Sequence, residues 1–343
     1  MTAPPEAAAS TTPASTTPAT NPATSVAAPI SVVRFRWPLS PTYLLGRLVV
    51  AALAVLAVIS LVYICLVATG NPAQLLVGPD STAADIERLS AHMGFDRPWY
   101  EQYLSFIGSA LTGDLPDSIR YGEPALGLVL ERLPASLLLG ATGLTLGLLL
   151  GLPAGYLASR PRRGGARQAP ITVLAALDSI PSFFLGVLLI YVFAVVLGVL
   201  PASGSASLAS LVLPALTLAP VVAAPVARVF RSSLIDTHDL DHVRFARSKG
   251  IGGVRLALRH TVANALGPVV NVVGVQAGIV LGGAIITESL FSWPGVGQFA
   301  ISAISNRDYP VVIAAIGFIA VGFILVNLVV DLIGAALDPG SSR

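Results

Sequence analysis

Long stretches without a charged side chain constrain this chain more than any other feature. Residues 133–159 and residues 179–227 contain no Asp, Glu, Lys or Arg. Since a helix needs about 20 apolar residues to cross a bilayer, the first stretch is long enough for one span and the second for two. Only 11% of the residues are charged, whereas a soluble domain carries about 25%. We therefore predict an all-α, polytopic membrane protein in contact with the lipid bilayer, which excludes a soluble enzyme and a nucleic-acid-binding protein.

The apolar stretches predict six transmembrane helices. They occupy residues 44–68, 133–159, 170–197, 208–228, 263–286 and 311–330. Between the third and fourth, Leu-Pro-Ala-Ser-Gly at residues 200–204 is typical of a turn. Asp178 lies inside the third span, and an ionisable residue there is a functional candidate by default. Its position just before Ser-Ile-Pro also fits a structural role, as a cap at a break in the helix.

The distribution of charged residues predicts the orientation of the spans. The connection after the second span, residues 160–167, carries four arginines and no acid, and the connection after the fourth span is also basic. Residues 71–132 instead carry nine acids against four arginines. Because Lys and Arg are enriched in cytoplasmic loops, both termini are predicted to be cytoplasmic, that is, N-in and C-in.

The same pattern divides the chain into four regions. Residues 1–33 consist mainly of Ala, Thr, Pro and Ser and are predicted to be a disordered tail, because they lack the apolar side chains that offset ordering entropy. Residues 34–70 contain the first span, and residues 71–132 are predicted to form a small outer domain with two amphipathic helices. Residues 133–343 form a core with the remaining five spans.

The inner connection between the fourth and fifth spans contains a predicted short helix at residues 239–250. Asp239 and Asp241 lie at its start and Arg247 and Lys249 at its end, which complements the helix dipole. Gly250 suits the position after the last helical turn, and residues 240, 243 and 246 share an apolar face. From the pattern alone this helix either lies on the bilayer surface or docks into a groove on a cytoplasmic partner.

Residues 241–250 (DHVRFARSKG), followed by residues 258–265 (LRHTVANA), resemble the cytoplasmic coupling loop of ABC importer permeases. The similarity is greatest to the B-type membrane subunit of the dipeptide/oligopeptide/nickel family. The general loop reads Glu-Ala-Ala-x-x-x-Gly; here Arg244 and Phe245 replace its Glu and first Ala, while Ala246 and Gly250 are kept. Further stretches that resemble the family are 93–98 (MGFDRP), 112–115 (TGDL), 131–136 (ERLPAS), 179–186 (SIPSFFLG), 200–204 (LPASG), 288–297 (ESLFSWPGVG), 307–310 (RDYP) and 337–339 (LDP).

The resemblance spans residues 44–339 and implies an ABC type I importer permease fold in the bacterial cytoplasmic (inner) membrane. It implies a translocation path for dipeptides, oligopeptides or a related small solute, formed with a second homologous permease in a heterodimer. Two cytoplasmic ATPase subunits or domains and an extracytoplasmic solute-binding protein complete the implied transporter. The implied coupling loop covers residues 232–262, with contacts to the ATPase within residues 239–260.

Two groups of site residues follow from the resemblance. The ATPase-coupling residues are expected to be Asp241, Val243, Arg244, Phe245, Ala246, Arg247, Lys249 and Gly250. The outer turn is expected to form part of the outer gate or the binding-protein face, through Glu288, Phe291, Trp293, Pro294 and Gly295. From the residues alone, the same turn could be a re-entrant segment or an interfacial anchor with Trp293 in the aromatic belt.

No catalytic, cofactor or metal site is predicted in this chain. It has no Gly-x-x-x-x-Gly-Lys-Ser/Thr phosphate loop, so ATP and Mg would be bound by the partner ATPases, and this chain is not expected to be an enzyme. Its four histidines do not have metal-site spacing, and Cys65 is its only cysteine. The alternative is an ion-coupled secondary transporter, which would need several facing intramembrane carboxylates, whereas Asp178 is nearly alone.

Overall fold

The computed structural model describes residues 41–68, 82–93, 97–112, 115–160, 168–238 and 240–337. These residues fold into helices, and the described part contains a single isolated β-bridge, between Asp117 and Pro124. The predicted tail, residues 1–33, lies outside the described residues. The α-helices are α1 Pro41–Ala68, α2 Ala83–Met93, α3 Trp99–Thr112, α4 Ala125–Ser159, α5 Ala169–Asp178, α6 Ser182–Leu189, α7 Val212–His238, α8 Asp241–Ser248, α9 Gly253–Leu256, α10 Ala263–Leu290, α11 Val296–Ser305 and α12 Tyr309–Leu337.

Within the described residues, four helices are long and apolar enough to cross a membrane. They are Ala125–Ser159, Leu208–His238, Ala263–Leu290 and Tyr309–Val330. A fifth span results if α5 and the segment Ser182–Val196, which meet at an angle of 104°, are counted as one bent span. These five agree with the second to sixth predicted spans in position, although α4 begins eight residues before the predicted start at residue 133.

The bend in the third predicted span follows from its sequence. Pro181 lacks the N–H that would continue the helix, and its ring restricts the residue before it. Asp178 was predicted to cap this break if its role is structural. No side chain caps the start of α6, and Asp178 instead forms an ion pair with Arg228 of α7 at 3.8 Å. The break was predicted correctly, but the capping role is wrong because the carboxylate is directed to a neighbouring helix.

Helix α7 is the central element of the packing. Leu213, Val222 and Val226 are fully buried, and α4 packs closely along α7 through glycines at residues 143, 147, 151 and 155. A Cβ at Gly147 would lie 2.5 Å from Val222 Cβ, and one at Gly151 would lie 2.7 Å from the Ala223 carbonyl oxygen. Small residues at intervals of four therefore bring the two helix backbones together, as in other membrane helix pairs.

Two amphipathic helices, α2 and α3, occupy the predicted outer domain. The Ser60 and Tyr103 hydroxyls are 2.6 Å apart, and Tyr63 donates a hydrogen bond to the Trp99 carbonyl oxygen over 3.0 Å. The Tyr63 and Tyr103 rings also pack together, with centroids 5.3 Å apart. Helix α3 is therefore attached to α1 by polar and aromatic contacts.

Candidate functional site

The predicted coupling helix is present as α8, Asp241–Ser248. Leu240 is extended (φ −69°, ψ 145°) and precedes the first turn. The helix ends at Gly250, whose φ of +79° is a conformation that only glycine adopts readily. Gly250 N–H donates to the Arg247 carbonyl over 3.0 Å, and Ile251 N–H donates to the Ala246 carbonyl over 3.2 Å. The chain therefore leaves α8 sharply, as the glycine predicted.

The predicted coupling residues divide between two faces of α8. Val243, 0% exposed, and Ala246 are buried against Leu256 and Ile251 of the same chain. Phe245 is 61% exposed. On the exposed side it is accompanied by Asp241, Arg244, Arg247 and Lys249. Val243 and Ala246 therefore hold α8 in place, and the surface that a partner could contact is formed by the other side chains.

Leu240 does not share the buried face that its spacing predicted. Its side chain is exposed, because residue 240 lies outside the helix and its side chain does not follow the helical periodicity. The apolar face of α8 is correspondingly narrower than predicted.

The exposed side of α8 has its own internal contacts. Lys249 Nζ lies 4.5 Å from the centroid of the Phe245 ring, which is the geometry of a cation–π contact. A guanidinium nitrogen of Arg247 lies 2.9 Å from Nε2 of His238, the last residue of α7. Because Arg can only donate, His238 Nε2 is the acceptor. The role of His238 was not predicted, since nothing in the spacing of these two residues indicates it.

Helix α8 is joined to two long helices. It packs against α7 and against the π-helix Ala257–Val262, which leads directly into α10. Ser233 of α7 donates a hydrogen bond to the Ala265 carbonyl of α10 over 2.9 Å. Helix α8 is therefore in contact with both α7 and the segment that begins α10.

The turn after α10 is organised around a buried carboxylate. Glu288, 1% exposed, accepts a hydrogen bond on Oε1 from Ser136 Oγ of α4 over 2.6 Å. Its Oε2 accepts from the backbone N–H groups of Gly297 and Gln298 over 2.8 and 3.1 Å. These amides lie in the first turn of α11, where the helix dipole favours negative charge. The carboxylate thus links α4, α10 and α11.

The glycines of this turn are required by the same contact. A Cβ at Gly295 would overlap the Glu288 carboxylate, and one at Gly297 would lie 2.6 Å from the Ile285 Cα. Ser136 Oγ also accepts a hydrogen bond from the Val296 N–H over 2.8 Å. The importance of Ser136 was not predicted, because it lies about 150 residues away in sequence.

Phe291 and Trp293 lie inside the chain, so the interpretation of Trp293 as an interfacial anchor needs correction. Trp293, 4% exposed, donates from Nε1 to the Ala135 carbonyl over 2.9 Å. Phe291 is also buried, and its carbonyl accepts from Gly204 N–H over 2.8 Å. The side chains of Glu288, Phe291 and Trp293 are therefore buried within this chain, and Trp293 does not belong to an interfacial belt. The role of this turn at the outer gate or the binding-protein face stays a prediction. Gly295 is buried and Pro294 partly buried.

A cavity of about 410 Å³ lies between α4, α10 and α12, next to this turn. Of the side chains that line it, only Ser136 and Glu288 are polar, and both are already engaged in the hydrogen bonds described above. Among the described residues, no group of three His, Cys, Asp or Glu side chains is placed to hold a metal ion.

Comparison with known proteins identifies the family. Residues 132–343 match the family described as "Binding-protein-dependent transport system inner membrane component", and residues 42–137 match the N-terminal region described for the same kind of transport system. The chain belongs to this family. It is an inner-membrane permease subunit of an ABC importer, as the sequence resemblance indicated.

Individual relatives agree with this assignment. The chain is 39% identical over 270 residues to the glutathione transport system permease protein GsiC of Escherichia coli O6:H1 strain CFT073, covering 79% of this chain and 88% of that protein. The GsiC proteins of Escherichia coli K12 and Shigella dysenteriae serotype 1 are each 38% identical to this chain over 270 residues, which again cover 79% of this chain and 88% of the relative.

The fold is also similar to a solved transporter. An inward-facing structure of the MetNI methionine ABC transporter superimposes with a TM-score of 0.53 at 20% identity. The match covers 63% of this chain and 99% of that chain. At this level of identity the similarity concerns the fold alone.

Proposed function

We propose that this permease, together with a second homologous permease, forms the path by which small peptides or chemically related solutes cross the inner membrane. The observation that carries the proposal is the 39% identity to a glutathione transport permease over 79% of the chain. Glutathione is a tripeptide, so the substrate class agrees with the peptide-family resemblance of the sequence. The family is binding-protein-dependent, and a solute-binding protein would deliver the substrate.

The proposed topology has six spans with both termini in the cytoplasm. Helix α1, which has 28 residues and a mostly apolar sequence, would be the first span, before the five that follow. The acid-rich segment 71–132 would then lie outside and the basic segment 228–260 inside, in accordance with the positive-inside rule. Cysteine accessibility at exposed residues such as Tyr121 and Phe245 would test this arrangement from either side of the membrane.

The proposed coupling surface is the exposed side of α8. Phe245 is a large exposed ring flanked by basic side chains, which is the composition expected of an anchor in a protein groove with acidic groups at its edge. Val243 and Ala246 fix α8 against Leu256, so a movement of a docked ATPase would reach α7 and α10. ATP would be hydrolysed by the partner subunits, and this chain would transmit the movement.

Purification and reconstitution test the proposal. A tag on this chain is used to isolate the complex from native membranes in mild detergent, and the complex is placed in liposomes that contain ATP. We expect a second permease and ATPase subunits to co-purify. Uptake of labelled glutathione or a dipeptide should require both internal ATP and an external binding protein. Uptake driven by a proton gradient without ATP would contradict the proposal.

The coupling role of α8 is tested by reversing one charge on α8 and comparing uptake with that of a matched charge reversal elsewhere. Arg244→Glu should reduce ATP-dependent uptake at least about tenfold, because a charge reversal at a docked interface opposes association. Arg160→Glu makes the same change at an exposed position just after α4, outside residues 239–260, where the guanidinium contacts Tyr156 of α4; it should retain most of the uptake. Equal uptake by the two variants would contradict the assignment of α8 as the coupling helix.

A further inference from the structure

Asp308, in the turn between α11 and α12, is a buried carboxylate that holds two distant segments together. It accepts a hydrogen bond from the Ser118 hydroxyl. It also accepts from the N–H groups of Ile119 over 3.2 Å and Arg120 over 3.4 Å. Burial of a carboxylate is costly unless such donors surround it. The segment before α4 is therefore anchored on the start of α12.

The anchored segment is itself closed by hydrogen bonds. Ser118 N–H donates to the Glu123 carbonyl over 2.8 Å, and Gly122 N–H donates to the Ser118 carbonyl over 2.9 Å. Tyr121 N–H donates to Ser118 Oγ over 3.0 Å. Because each end and the centre of the segment are bonded, its side chains project from a fixed backbone. We call residues 118–123, together with Asn306 and Arg307, the Asp308 platform.

The opposite edge of the platform is also held in place. Arg307 adopts a φ of 58°, which is uncommon for a residue with a side chain. Such conformations persist only where the surrounding structure determines them. Arg307 N–H donates to the Ile304 carbonyl over 3.1 Å, and Asp308 N–H donates to the Ala303 carbonyl over 2.9 Å.

The side chains that leave the platform are suited to contact with a protein. Arg120 donates to the Asn306 amide oxygen over 2.6 Å, which orients its guanidinium. Tyr121 is 49% exposed, and its ring centroid lies 6.0 Å from that of Phe299. Within the described residues neither Arg120 nor Arg307 has an ion pair with a carboxylate. Tyr and Arg on rigid supports are the residues that dominate protein interfaces.

We propose that the Asp308 platform is the surface on which the extracytoplasmic solute-binding protein docks, with carboxylates of that protein facing Arg120 and Arg307. The inference rests on the proposed function, since it requires residues 71–132 to lie outside. It moves the expected docking face from the buried turn at residues 288–295 to an exposed one. Asp117 and Glu123 are exposed on the same segment as Arg120, so the segment carries acidic as well as basic side chains, which favours a protein partner of complementary charge pattern over anionic lipid.

Photo-crosslinking in cells tests the contact directly. A photoreactive phenylalanine replaces Tyr121, and Phe183, an exposed residue of α6, is replaced in the same way as the control. We expect an adduct with a solute-binding protein, identified by mass spectrometry, from position 121 and not from position 183. Adducts with lipid or the second permease only, or no adduct, would overturn the proposal.

The binding protein identified in the adduct is then titrated against the purified complex. The double variant Arg120→Glu, Arg307→Asp should need at least about tenfold more binding protein for half-maximal ATPase stimulation. Aspartate is chosen at position 307 because it tolerates positive φ. The control Arg97→Glu reverses an exposed charge elsewhere in residues 71–132 and should respond as the wild type does.

The two proposals fail differently in this titration. A double variant that assembles and is stimulated at the wild-type concentration overturns the platform alone. A wild-type complex that does not respond to the binding protein overturns the proposed importer function together with the platform.

Discussion

Ser136 and Glu288 are joined by a 2.6 Å hydrogen bond between side chains that are 152 residues apart in sequence. The bond connects α4 to the end of α10, and the other carboxylate oxygen receives the first amides of α11. One buried acid thus determines how three helices meet. The turn at residues 288–295 is a structural joint within this chain.

Replacement of this acid should destabilise the joint. Glu288→Gln removes the charge that three donors surround and turns one acceptor into a donor. We expect a loss of about 1–3 kcal/mol, seen as a lower Tm in detergent. Ser289→Ala is the control, because Ser289 Oγ bonds only within its own helix, to the Ile285 carbonyl. An equal Tm for the two variants would contradict this role of Glu288.

Close packing of α4 on α7 predicts that replacement of two glycines of α4 by alanine changes the stability of the protein in opposite directions. A Cβ at Gly151 would lie 2.7 Å from the Ala223 carbonyl oxygen, whereas nothing lies within 4 Å of a Cβ at Gly127. Gly151→Ala should destabilise the protein by about 1–3 kcal/mol through overpacking. Gly127→Ala should stabilise it by up to about 1 kcal/mol through helix propensity. Thermal unfolding of both variants measures the difference, and shifts in the same direction would disagree with the packing described.

The two faces of α8 predict opposite phenotypes for the same substitution. Val243→Asp places a charge in the buried contact with Leu256 and should cost at least about 2 kcal/mol of local stability. Phe245→Asp changes an exposed position and should leave stability unchanged while it reduces ATP-dependent uptake. Limited proteolysis of the inner connection reports the first effect and liposome uptake the second. Normal uptake by Phe245→Asp would remove this ring from the coupling surface.

Substitution of Asp178, which pairs with Arg228, tests whether the protein belongs to an ATP-driven importer or is an ion-coupled transporter. The pair is long, 3.8 Å, and its Arg side chain is half exposed, so Asp178→Asn should leave the protein folded and the complex assembled. Uptake should continue at a rate close to that of the wild type. In an ion-coupled transporter a carboxylate inside a span would be essential, and loss of uptake in Asp178→Asn would favour that mechanism. Glu131→Gln, at an exposed site of α4, is the control.

Features that depend on local sequence could be predicted. The five long apolar segments appear as helices, because the length of an apolar stretch and the positions of proline and glycine act within a few turns of helix. The short helix before Gly250 was predicted for the same reason. The motifs around it also indicated the family, which the comparisons confirmed.

Features that depend on contacts between distant residues were decided by the tertiary structure. Tryptophan is typical of the membrane interface, yet the Trp293 indole N–H donates a hydrogen bond to a carbonyl of α4 inside the chain. The apolar face of α8 packs against Leu256 of the same chain. Sequence periodicity alone cannot distinguish such a face from one that binds a partner. In the sequence Asp308 is one acid in a turn, and only the fold brings the Ser118 hydroxyl, 190 residues away, to donate a hydrogen bond to it. The length of an apolar stretch and the position of a turn are determined by local sequence. The burial of a polar or aromatic side chain depends instead on which distant groups surround it in the folded chain.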